Sequence, residues 1–122
     1  MPGEAHTIIE RFWRIQDEGD YTKLAPLFAE DAVLEDPTWG RYEGRKAILG
    51  FMTTMVAEMG ERKISFTVDE ICGDEHTAWA RWTMHSPDGD RGGVGIYKVR
   101  GGEMIYYRDY IDPPVEDVTD NG

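Results

Sequence analysis

Met104-Ile105-Tyr106-Tyr107-Arg108-Asp109-Tyr110-Ile111-Asp112, closed by Pro113-Pro114, is the stretch on which the fold turns. An aromatic run of this density predicts a strand covered on both faces, yet Arg108 and Asp109 stand at its middle. Alternation puts Ile105, Tyr107, Asp109 and Ile111 on one face and Tyr106, Arg108 and Tyr110 on the other. An ionised carboxylate among apolar neighbours needs a partner or a shifted pKa, so Asp109 is the first candidate for a site. The plainer reading is an internal pair with an arginine.

Working back from this strand, Arg100-Gly101-Gly102 predicts a turn, and Gly93 to Val99 the strand before it, entered from Ser86-Pro87-Asp88-Gly89-Asp90. Ala78 to His85 predicts another strand, apolar on its Ala78, Ala80, Trp82, Met84 face and mixed on its Trp79, Arg81, Thr83, His85 face. Ile64, Phe66 and Val68 alternate with polar residues, the pattern of a strand with one wet face, at a sheet edge or over solvent. Upstream the period becomes helical: Ile48, Phe51, Met52, Met55, Val56 and Met59 form one apolar face between Arg45 and Gly60. Ala32 to Pro37 predicts a strand ended by proline, and residues 38–44 a loop. A short helix capped by Asp20 is expected through Leu24, Leu27 and Phe28. The first helix opens on the capping box Thr7-Ile8-Ile9-Glu10 and runs to Gly19.

This order describes an α+β domain over residues 1–113, a curved, mostly antiparallel sheet wrapping one face around helices, followed by an acidic disordered tail over 114–122. Strands 78–85 and 105–111 are apolar on both faces, which predicts a homodimer through an outer face carrying Ala80, Trp82, Met84, Ile96, Tyr106 and Tyr110. A chain of 122 residues holds one core and one site. Its formal net charge of −11 repels phosphate backbones and anionic lipid, so neither nucleic acid nor membrane is an expected partner. Cys72 has no mate for a disulfide, and neither a leader nor an apolar span is legible, so a cytoplasmic protein is expected. His6, His76 and His85 lack metal-ligand spacing, and neither metal nor cofactor is expected.

The element order, with Phe28-Ala29-Glu30-Asp31-Ala32-Val33-Leu34-Glu35-Asp36-Pro37 and Tyr107-Arg108-Asp109-Tyr110-Ile111-Asp112, resembles the nuclear transport factor 2-like superfamily from about residue 6 to 113. The resemblance implies its cone-shaped α+β barrel. The first stretch is similar to ketosteroid isomerases, whose general base is the Asp before the Pro, here Asp36; Pro37 restrains that residue to extended backbone. The isomerase oxyanion-hole positions fall on Phe12 and near Gly95. The second stretch resembles the limonene epoxide hydrolase and SnoaL-like cyclase branch. That likeness places an acid on Asp109 and its partner on Arg81, in an Arg-x-Asp whose second Asp is Thr83 here. The water-holding Tyr and Asn of that branch match Leu34 and Asp36.

On this resemblance Asp36, Arg81 and Asp109 are expected to converge in one cavity. One carboxyl protonates a departing oxygen, the other takes a proton from water or a hydroxyl, Arg81 holds its closer partner ionised, and His85 assists. Phe12, Trp39, Phe51, Met52, Met55, Trp79, Thr83, Tyr97 and Tyr107 are expected to line the cavity. The function implied is cofactor-free opening of an epoxide in an apolar small molecule, by water or by ring closure. Two alternatives stand beside it: a non-catalytic ligand-binding or association module, and an isomerase or dehydratase using Asp36 with His85.

Overall fold

The last strand lies in the interior of the sheet; Tyr107 on its inward face is buried, while Tyr110 on the outward face, expected to be covered, is half exposed. The computed structural model describes residues 3–18 and 21–112; the expected tail and the Asp20 cap fall outside these. The elements are α1 (Glu4–Glu18), a 3-10 helix (Tyr21–Leu27), β1 (Phe28–Asp36), β2 (Gly40–Glu43), α2 (Arg45–Glu61), β3 (Ser65–Gly73), β4 (Thr77–His85), β5 (Arg91–Arg100) and β6 (Glu103–Ile111). One six-stranded sheet runs β2-β1-β6-β5-β4-β3, and β1 with β6 is its parallel pair. Both helices cover the same face, α1 over β3 to β6 and α2 over β1 and β2.

Several boundaries differ from the sequence reading. The first helix begins at Glu4, because the Ala5 amide donates to the Asp74 carbonyl in the β3–β4 turn and holds the chain in place three residues early. Thr7 is therefore inside the helix, and its hydroxyl donates to the Gly3 carbonyl rather than capping. The stretch read as a second helix is a 3-10 segment containing Pro26, and Phe28 already belongs to β1. Within the stretch read as a loop, β2 pairs with β1 from Val33–Glu43 to Asp36–Gly40. Helix α2 passes through Gly60, and the chain turns after it at Lys63, whose φ is 59°.

The core is a cluster of rings. Phe12 is fully buried and meets Trp13, Phe28 and Tyr107 edge-on at 5.9, 6.1 and 5.4 Å, with Tyr97 tilted against it at 6.0 Å. Register fixes the inward row: Leu34 pairs with Tyr107, Tyr107 with Tyr97, and Tyr97 with Ala78. The next row inward is Asp109, Gly95 and Ala80, and the one after is Ile111, Gly93 and Trp82.

Candidate active site

Asp109 faces the helices because its strand partners do. Gly95 opposite it has no side chain, and a Cβ there would lie 3.0 Å from Asp109 Oδ1 and 2.5 Å from the Tyr97 hydroxyl. The bare backbone thus makes room for a carboxyl. Asp109 Oδ2 accepts a hydrogen bond of 3.0 Å from the Tyr107 hydroxyl, while Oδ1 is closed off from solvent. Burial, opposed by hydrogen bonding from Tyr107, reinforced by the Asp36 charge and opposed further by hydrogen bonding from Trp82, raises Asp109 to about 7. Behind it the Trp13 indole donates to the Tyr97 hydroxyl at 3.1 Å, and burial lifts the Tyr97 and Tyr107 phenols well above their ordinary range. Those phenols stay neutral donors.

Asp36 ends β1, one step beyond the last parallel pair, Glu35 with Arg108, so the register brings it level with Asp109. Its Oδ1 accepts the amides of Thr38 and Trp39 at 2.8 and 3.0 Å, which ties the carboxylate to the β1–β2 turn. Asp36 and Asp109 both border a cavity of about 280 Å³ between α2 and the sheet. Phe51, Met52 and Met55 line it from α2, Phe66, Trp82, Met84 and Tyr107 from the sheet, and Trp39 from the turn. Glu58, Arg62 and Arg91 add charge to its border.

The expected triad is not assembled. Arg81 pairs across β4–β5 with Val94 and belongs to the outer face; its side chain is 57 % exposed and lies 3.6 Å from Glu70. The physical reason is parity: the uniformly apolar face of β4 turns inward, and the mixed face carrying Trp79, Arg81, Thr83 and His85 turns outward. Thr83 donates to Asp69 at 2.6 Å, and His85 sits between Thr67 at 2.9 Å and Asp90 at 3.1 Å, both away from the cavity. Trp79 lies opposite Ile96 and Cys72 on that same outer face. Phe12 and Tyr97 are core residues behind Tyr107 rather than cavity lining. Trp82, Met84, Phe66 and Arg91 border the cavity without having been anticipated there; for Trp82 and Met84 the signal was the apolar face of 78–84, and for Phe66 the apolar side of its alternating strand.

Two helices packed on one face of a six-stranded mixed sheet form the nuclear transport factor 2-like arrangement. The chain belongs to the SnoaL-like domain family, whose model matches residues 9–107. An NTF2-like protein of unknown function from Mesorhizobium loti superposes with a TM-score of 0.78 at 24 % identity, over 90 % of this chain and 92 % of that one. A candidate ketosteroid isomerase from Kribbella flavida gives 0.76 at 22 % identity, over 91 % and 82 %. A candidate polyketide cyclase from Sinorhizobium meliloti gives 0.72 at 22 % identity, over 85 % and 94 %. At these identities the likeness bears on the fold alone. No curated protein matches the chain. Among the described residues, no helix is long and apolar enough to cross a membrane.

Proposed function

We propose that the chain is a cofactor-free acid/base enzyme acting on an apolar small molecule, with Asp109 as proton donor and Asp36 as acceptor. The observation that carries this reading is the buried Asp109 carboxyl, raised to about 7 beside a cavity. A carboxyl titrating there can give up a proton near neutral pH. In epoxide opening, the Asp109 proton passes to the ring oxygen as its C–O bond breaks. Asp36 takes a proton from the water or internal hydroxyl whose oxygen forms the new C–O bond. Proton return from Asp36 to Asp109 completes the cycle. The same pair serves enolisation of a ketone, with Asp36 removing a carbon-bound proton and Asp109 donating to the oxygen. The exposed, unpaired thiol of Cys72 fits a reducing, cytoplasmic setting.

A binding module without chemistry is favoured by one observation: the Thr38 and Trp39 amides on Asp36 Oδ1 explain that carboxylate as a turn residue. Asp36→Asn separates the two readings, since an amide oxygen still accepts both amides but takes no proton. Turnover of a panel of apolar epoxides, epoxy-alcohols and unsaturated ketones is expected to fall by about 10²–10⁴-fold with the melting temperature held. Arg81→Gln, outside the cavity, serves as the control and retains parent turnover. Full activity in Asp36→Asn, or a parent that binds panel members and converts none, ends the enzymatic reading.

We further propose that the outer sheet face mediates self-association, through Trp79, Ile96, Tyr106 and Tyr110 rather than Ala80, Trp82 and Met84. Tyr110 is 50 % exposed, and the Arg108 guanidinium stacks 4.8 Å above its ring. Light scattering at micromolar concentration is expected to report twice the 13.9 kDa chain mass; a monomer overturns this.

A further inference from the structure

Arg91 is a cation on the wall of a largely apolar cavity, and the acid/base reading leaves it unused. The inward row of β5 runs Tyr97, Gly95, Gly93, Arg91, and Arg91 lies opposite Met84, which also borders the cavity. A guanidinium partly withdrawn from water is stabilised by an opposite charge beside it. Here it meets only a neutral acceptor: Nε and Nη2 both donate to the Asp112 backbone carbonyl, at 3.2 and 2.8 Å. Among the described residues, no carboxylate forms an ion pair with Arg91.

The nearby acids are turned elsewhere. Asp112 follows the cavity-lining Ile111, so alternation sends its carboxylate outward, where Oδ2 lies 2.9 Å from the place a Cβ on Gly92 would take. Asp90 lies against His85 at 3.1 Å on that outer face. On the cavity border itself, Glu58 is paired with Arg62 at 2.8 Å. Asp109 keeps its proton below about pH 7. The lining is therefore left with two unmatched charges, Arg91 and the amide-held Asp36. They mark opposite ends of the wall: Gly95 lies opposite Asp109, and Arg91 comes four residues earlier on the same strand, roughly 13 Å away along the backbone.

We infer that Arg91 binds the carboxylate of a monoanionic ligand whose apolar body fills the cavity and whose far end reaches Asp36 and Asp109. Asp112 occupies one edge of the guanidinium fork, Nε with Nη2, and leaves Nη1 for an incoming carboxylate oxygen. One free cation matches one negative charge. A phosphate or a dicarboxylate brings a second, which Asp36 and the net charge of −11 repel. The body of the ligand lies between Phe51, Met52 and Met55 of α2 and Phe66 and Met84 of the sheet, within about 280 Å³. The ligand class is therefore an apolar monocarboxylic acid. This rests on the proposed function in taking the cavity as the ligand site, and it makes Arg91 a specificity-determining residue independent of any turnover.

The test compares 2-naphthoate with its neutral counterpart 2-naphthamide by calorimetry at about pH 6, where the probe acid is ionised and Asp109 is protonated. The parent is expected to bind the naphthoate at least about tenfold more tightly than the amide. Arg91→Gln removes about tenfold from naphthoate affinity and leaves the amide within about twofold, and Arg91→Lys recovers part of the loss. In the parent, raising salt from about 0.05 to 0.5 M weakens naphthoate and not amide binding, a reading that needs no variant to fold. Equal loss for both probes in Arg91→Gln, naphthoate binding indifferent to salt, or no preference for naphthoate in the parent, including binding of neither probe, overturns the inference. Because no conversion is measured, a protein that binds naphthoate through Arg91 but turns over no substrate fails the enzymatic reading and keeps this one. Turnover of neutral epoxides or ketones with no preference for the carboxylate does the reverse.

Discussion

At about pH 8, Asp109→Asn is expected to melt roughly 5–10 °C above the parent while losing about 10²–10⁴-fold in turnover. The two effects share a cause. Burial raises Asp109 from 3.8 to about 7, so the folded chain retains a proton that the unfolded chain has released across that interval. With more protons bound in the folded state, stability falls as pH rises from about 4 through about 7 and then levels off. The whole window is worth on the order of 4 kcal/mol, reduced by any relaxation around the carboxylate. Asparagine is neutral at every pH in the window, so its melting temperature stays flat where the parent's declines. It also cannot donate the proton. A variant that melts below the parent at about pH 8 would mean that the ionised carboxylate stabilises the fold through a cation, and the acid role would fall with it.

The same residue shows how far the sequence could be read. Asp109 stood out because a charge in an aromatic strand is costly, and that reasoning needs only one strand. Arg81 failed because it needed two: placing it beside Asp109 required the relative parity of β4 and β6, and a one-residue error there reverses every side chain. The likeness to an Arg-x-Asp pair drew Arg81 inward. The hydrophobic pattern pointed the other way, since Ala78, Ala80, Trp82 and Met84 are the uniformly apolar side of that strand and belong over the helices. Gly93 and Gly95 were a further signal. Glycines at every second position of a strand mark one bare face, on which large side chains from both neighbours can lie. The edge strand β2 was hidden for another reason. Gly40-Arg41-Tyr42-Glu43 has no apolar alternation, and it pairs because the Asp36 carboxylate holds the turn that folds it back.

Phe12→Ala is expected to cost roughly 3–5 kcal/mol, seen as a melting temperature lower by about 10–20 °C. The ring is fully buried and touches Trp13, Phe28, Tyr97 and Tyr107, so its removal leaves a void that four rigid aromatic neighbours cannot close. The likeness to ketosteroid isomerases implied a ligand-facing role at this position, where that family holds an oxyanion-hole tyrosine. In this chain the neighbouring phenols are supplied from the sheet: Tyr107 reaches Asp109, and Tyr97 receives the Trp13 indole proton. Phe12 supports them from behind and lies outside the cavity lining. Well below the melting transition, ligand affinity of Phe12→Ala should therefore stay within about twofold of the parent while stability drops, and Phe12→Leu, which fills more of the void, should recover about half of the loss. The reverse pattern, a melting temperature retained with affinity reduced about tenfold or more, would place Phe12 at the ligand and return this position to the isomerase pattern.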